Sequence, residues 1–141
     1  KQAERPAPEY GSAREAGERF RLAPPGTIAP STRLRHLGEA GVVERRPGVF
    51  APTFDRRVFL HPAPDPWPFL PAIACPTLVV RGEESAIMDR TSAERVAHAV
   101  QRGRVAEIPR AHHHLIVDDP EAFAGVVGEL GSAERPTDGA A

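Results

Sequence analysis

The stretch "EIPRAHHHLIVDDPEAF", residues 107 to 123, places consecutive histidines between an apolar segment and an acidic turn that ends in Asp119-Pro120. Half of the six histidines in the chain lie here. "RVAEIP", ending at Pro109, has the make-up of a short strand. Asp119 suits a helix N-cap, and Pro120 suits the first helical position, where its missing N–H is no loss. Beyond them, "DDPEAFAGVVGEL" brings Phe123, Val126, Val127 and Leu130 onto one helical face. A strand, a histidine-bearing loop and a helix therefore follow one another.

On the N-terminal side the same alternation continues. "CPTLVVRGEE" reads as a buried strand, with an apolar run from Thr77 to Val80 that ends in a polar loop at Gly82. "TSAERVAHAVQRG" reads as a helix near 91–101. Thr91 and Glu94 form a capping box, Ala93, Val96, Ala97 and Val100 form the apolar stripe, and Gly103 supplies the stop. A helical crossover between strands near 77–81 and 104–108 implies parallel pairing with a right-handed connection. A second helix follows near 120–130. Two strands alone do not make a stable parallel sheet, so the unit reads as the edge of a larger sheet. The rest of that sheet is expected outside the chain.

Before Pro71 the character changes. The 16 prolines are concentrated before residue 77, and residues 1–70 read as short helices and turns. "SARE" at 12–15 is a capping box for a helix that runs to Phe20 and stops at Pro24-Pro25. A further helix starts near Ser31 and presents Leu34 and Leu37 on one face. "VVERRPGVFAP" reads as two short strands around a Pro47-Gly48 turn. Residues 71–131 form the strand–helix part, and residues 132–141, small and polar, read as a disordered tail.

Composition bounds the function. At 141 residues the chain fits one domain, and 18 basic against 19 acidic residues give no overall pull toward nucleic acid or an anionic membrane. No apolar run approaches the roughly 18 residues of a membrane span, and the N-terminus has no signal-like apolar region. Cys75 is the single cysteine, which rules out an internal disulfide and fits a reducing compartment, hence a cytoplasmic protein. Lys1 is the single lysine, and every other basic residue is arginine, a mark of a GC-rich genome rather than of function. The chain begins with Lys, not Met, which fits a piece of a longer protein.

These residues together resemble the C-terminal portion of the α/β-hydrolase fold. In that family the last strands carry the triad-acid region and the triad histidine, and the histidine loop runs Pro-x-Ala-Gly-His-His, then apolar residues, then Asp-x-Pro. Here Pro109 and Ala111 match, His112 takes the usual glycine position, His113 falls on the catalytic histidine, and Asp119-Pro120 closes the pattern. The proline-rich first half resembles the lid that precedes these strands. The resemblance implies an α/β fold: two parallel edge strands with flanking helices, preceded by a mostly helical lid.

The chemistry it implies requires a nucleophile on a strained turn, usually Gly-x-Ser-x-Gly, a histidine to take its proton, and a carboxylate to orient the histidine. None of the five serines lies in Gly-x-Ser-x-Gly, so the nucleophile is expected upstream of residue 1. Where many relatives place the acid, three residues beyond Gly82, this chain has Ser85, which cannot supply the charge. The acid is then expected upstream, or at Glu83 or Glu84. The resemblance implies a serine-type hydrolase of ester, acyl or C–C bonds acting on a small molecule. It requires no cofactor and no metal, and the missing N-terminal half of the fold is the needed partner. The chain by itself is expected to be inactive and prone to aggregate through its open sheet edge.

Competing readings are plainer or belong to another class. Adjacent histidines in an extended segment point to opposite sides, which leaves at best His112 and His114 together, too few for a metal site. His36, His61 and His98 read as surface residues, Cys75 as a space-filling residue, and Trp67 as lid–core packing or pocket lining. Residues 31–57 also resemble a winged helix-turn-helix, with six Arg against three acidic residues. That fold needs two helices packed ahead of the recognition helix, and Pro24, Pro25 and Pro30 interrupt the place where they belong. Nucleic-acid binding is therefore the alternative and not the main reading.

Overall fold

A computed structural model describes residues 6–133 except Arg56, Val58, Phe59 and His61, with the backbone alone described from 130 to 133. The expectations for His61, the Leu130 side chain and the 134–141 part of the tail lie outside the described residues. The described chain divides into two compact units. Residues up to Pro25 with Ala29–Asp65 form one; Gly26–Ile28 with the residues from Pro66 onward form the other.

The first unit holds α1 (Ala13–Arg19), α2 (Ser31–Ala40), β1 (Val42–Arg46) and β2 (Val49–Pro52). Ser12 caps α1 by accepting the Glu15 N–H at 3.1 Å, as expected. The Glu15 carboxylate, however, reaches past Ser12 to the Gly11 N–H at 2.7 Å. The two helices touch at Gly17 and Gly38: a Cβ on Gly38 would sit 2.8 Å from the Gly17 Cα and 2.6 Å from the Phe20 Cβ. β1 and β2 pair antiparallel around Pro47-Gly48, where Gly48 has φ 70. Among the described residues of this unit, the seven-residue α1 is the one helix ahead of α2, where a winged helix has two.

The second unit is strand–helix–strand–helix. A 3-10 helix (Trp67–Ala72) leads to β3 (Thr77–Gly82), α3 (Arg90–Ala99), β4 (Gly103–Ile108), the one-turn α4 (Leu115–Asp118) and α5 (Pro120–Ala133). β3 and β4 pair in parallel, from Thr77 opposite Gly103 to Gly82 opposite Ile108. Ala93, Ala97 and Val100 of the α3 segment are buried along with Ile108 and Ala111. The α3 end rests directly on the start of β4, since a Cβ on Gly103 would lie 1.9 Å from the Ala97 carbonyl oxygen.

Several expectations need correction. The N-cap of α3 is Asp89, which accepts the Ser92 N–H at 2.7 Å, and not Thr91. A carboxylate just before the helix is a strong cap, so the helix starts earlier than the Thr91–Glu94 box implied. Thr77 to Val80 are half-buried and not buried, because among the described residues β3 pairs with β4 alone. Cys75 is exposed and fills no core space. On α5, Phe123 and Val126 are half-buried while Val127 is 45% exposed, so the buried face is narrower than the periodicity suggested. The cap of α5 is as expected: Asp119 Oδ1 accepts the Ala122 N–H at 2.9 Å.

Candidate active site

The histidine loop begins where β4 ends. Glu83 donates its backbone N–H to the Ile108 carbonyl at 3.0 Å, and Glu84 donates to the Ala111 carbonyl at 2.9 Å, so ladder-like bonding continues past both strand ends. Gly82 permits this closeness. A Cβ there would fall 2.2 Å from the His112 carbonyl oxygen and 2.3 Å from that of Ala111. Arg110 turns the chain with φ 61, and its N–H donates to Glu83 Oε2 at 2.9 Å.

The far end of the loop is held by Asp118, on the single turn of α4. Its Oδ2 accepts the His112 N–H at 2.6 Å. Its Oδ1 accepts the Ile28 N–H at 3.1 Å and the Thr27 hydroxyl. Asp118 is buried at 6% exposure, and burial alone would raise its carboxyl. The hydrogen bonds from Thr27, His112 and Ile28, with the nearby His112 ring, outweigh burial and hold it below its ordinary value.

The three imidazoles do not alternate sides, because residues 113 and 114 lie in a turn and not in an extended segment. His112 turns toward Gly26, with its Nδ1 2.9 Å from where a Gly26 Cβ would stand. His113 and His114 meet edge to face with ring centroids 5.2 Å apart. Both line an open hollow of about 350 Å³ with Val80, Leu115, Val117 and Phe123. His113 is exposed. It stands at the C-terminal end of the parallel strands, where open α/β sheets place their ligands.

The candidate acids are not gathered around His113. Among the described residues no ion pair joins a carboxylate to its ring: the Glu83 carboxylate is engaged by Arg110, and Glu84 is exposed. Ser85 shapes the next turn, its hydroxyl accepting the N–H of Ile87 at 3.4 Å and of Met88 at 3.3 Å. Among the described residues no group of three His, Cys, Asp or Glu side chains is placed to hold a metal ion. Trp67 is 40% exposed, with the Arg95 guanidinium 4.9 Å from its ring centre.

Sequence reasoning missed two groups. Asp118 is the residue at the Asp of the Asp-x-Pro pattern, counted back from Pro120, and that register was the available signal. Arg81 is the other. Its side chain, 7% exposed, pairs with Glu107 directly across the parallel ladder and donates to the Met88 carbonyl at 3.1 Å and the Glu83 carbonyl at 2.8 Å. Arg90 closes the group on the other Glu107 oxygen at 2.5 Å.

No family model and no curated protein matches the chain. Solved structures do. An esterase from Mycobacterium tuberculosis matches with TM-score 0.73 and 18% identity over 89% of this chain and 43% of its own. E-2-(acetamidomethylene)succinate hydrolase matches with TM-score 0.69 and 18% identity, over 89% of this chain and 47% of its own. An α/β-hydrolase from Novosphingobium aromaticivorans matches with TM-score 0.61 and 25% identity, again over 89% and 47%. The chain thus spans less than half the length of each. No helix among the described residues is long and apolar enough to cross a membrane.

Proposed function

The chain has the fold of the C-terminal part of an α/β-hydrolase, and from that premise we propose that it supplies the catalytic histidine, His113, of a serine-type hydrolase. The observation that carries the reading is the histidine loop itself. It leaves a parallel strand, is fixed at both ends by carboxylates, and presents one exposed imidazole beside an apolar hollow.

In this reading the nucleophile lies in a Gly-x-Ser-x-Gly turn upstream of residue 1, and the triad acid is upstream as well. His113 takes the serine proton as the hydroxyl attacks the acyl carbon, then returns it to the departing group. Imidazole suits this work because its unperturbed titration lies near neutral pH. A water repeats the cycle on the acyl-enzyme. The substrate is a small molecule with an ester, acyl or cleavable C–C bond, and its apolar part fits the hollow lined by Leu115 and Phe123. The chemistry requires no cofactor, and the single cysteine accords with a cytoplasmic setting. Residues 1–70 serve as lid, and the chain alone turns over no ester.

The test is the DNA upstream of the codon for Lys1. A continuous reading frame containing Gly-x-Ser-x-Gly, whose protein is labelled by a fluorophosphonate at that serine, supports the proposal. A stop codon directly upstream, or a frame without that turn, defeats it.

A further inference from the structure

Resting on the role given to His113, we infer that Glu83, its backbone carbonyl braced by Arg81, is a positioning residue: its carboxylate holds Arg110 in its left-handed conformation and so aims the histidine loop. Arg110 has φ 61, a region that residues with a Cβ seldom adopt unless their surroundings over-determine it. Glu83 Oε2 accepts the Arg110 N–H at 2.9 Å and so selects the orientation of the peptide that enters this residue. Glu83 is itself pinned, by its N–H on Ile108 at 3.0 Å and by Arg81 Nη2 on its carbonyl at 2.8 Å. Arg81 is fixed in turn by its ion pair with Glu107. A line of immobilised groups thus runs from the β3–β4 ladder to the residue three before His113. Without the carboxylate, Arg110 relaxes toward ordinary φ and the imidazole swings off its line.

This assignment differs in kind from that of a triad acid. A carboxylate that accepts a backbone N–H needs an oxygen acceptor, which glutamine also supplies. A carboxylate that stabilises an imidazolium needs its charge. The two roles predict opposite results for Glu83→Gln.

The experiment measures kcat and KM for p-nitrophenyl acetate in the longer protein, with Glu83→Ala, Glu83→Gln and Arg110→Gly. Misplacing a catalytic group by about 1 Å costs up to roughly 100-fold, so Glu83→Ala is expected to lower kcat about 10-fold with KM nearly unchanged. Glu83→Gln restores most of the loss. In the Arg110→Gly background Glu83→Ala does much less harm, because glycine takes positive φ without a brace. Full activity in Glu83→Ala overturns the inference. So does a Glu83→Gln variant as impaired as Glu83→Ala with the histidine limb of its pH profile lost, which marks a triad acid. Amide exchange at Arg110 in the same longer protein judges the brace apart from catalysis: protection should fall in Glu83→Ala and return in Glu83→Gln. If His113→Ala keeps full turnover, the role of His113 fails, while the exchange result still decides whether Glu83 holds Arg110.

Discussion

The backbone N–H of His112 donates to the carboxylate of Asp118 at 2.6 Å. The same carboxylate gathers the Thr27 hydroxyl and the Ile28 N–H, so one buried side chain joins the histidine loop to a segment from the first third of the chain. Removing it strands donors in a poorly solvated place. Hydrogen bonds to a charged group are worth about 1.5–3 kcal/mol each at most, and their losses are not additive. Asp118→Ala is expected to lower stability to urea unfolding by about 2–4 kcal/mol. Asp118→Asn, which keeps one acceptor oxygen, should cost less. Equal stability of Asp118→Ala and the parent would show that the loop is held elsewhere.

The same carboxylate imposes a pH dependence. Its folded pKa lies below the ordinary value, so the unfolded chain takes up a proton first as pH falls. The stability it contributes is complete above the unfolded value of about 3.9 and is lost as pH falls through the lower folded value. Thermal unfolding from pH 6 to pH 2 should show a drop in this window that is smaller in Asp118→Asn. Parallel curves for the two proteins would remove Asp118 from the account.

Gly26 and His112 form a coupled pair. Gly26 has φ 113, and a Cβ there would meet His112 Nδ1 at 2.9 Å. Gly26→Ala is therefore strained twice, by its backbone and by the ring. It is expected to cost about 1–3 kcal/mol, less of it when combined with His112→Gly. A double-mutant cycle on stability measures the coupling, and strict additivity would contradict the contact.

Arg81 and Glu107 offer a test of the strand ladder. Breaking a buried ion pair by removing one partner typically costs about 3–5 kcal/mol. Arg90 still engages the other Glu107 oxygen, so Arg81→Leu should fall near the low end, about 3 kcal/mol. Arg81→Leu combined with Glu107→Leu should be less damaging than Arg81→Leu alone. A double variant that loses the sum of the single effects would argue against the pair.

Much of the second unit could be read in advance because its signals are local. The run from Thr77 to Val80, the stripe through Ala93 and Val100, and Asp119-Pro120 each state their own conformation, and the crossover helix forces the parallel pairing of β3 with β4. The same locality limited the site. Asp118 acts on Thr27 and Ile28, and the Arg81–Glu107 pair exists only in the parallel register, so neither follows from spacing along the chain. His113 and His114 share one side of the loop for a related reason. Period-two alternation holds for extended backbone, and the loop turns at residue 113 to enter α4, whose single turn is too short to leave a periodic signal. α3 starts at Arg90 because Asp89, two residues ahead of Thr91, accepts the Ser92 N–H.

The central claim is that His113 is the base, and kcat for single histidine variants, measured in the protein of the proposed upstream reading frame, tests it most directly. His112 holds its place through its backbone N–H, so His112→Ala keeps that bond and should cost about 10-fold or less, near 1.4 kcal/mol. His114→Ala removes a ring that touches His113 and should also cost far less than loss of the base. His113→Ala should lower kcat by about 10⁴ to 10⁶, the usual effect of losing a triad member. Turnover in His113→Ala within about 10-fold of the parent, or a larger loss in His112→Ala or His114→Ala, would contradict the account.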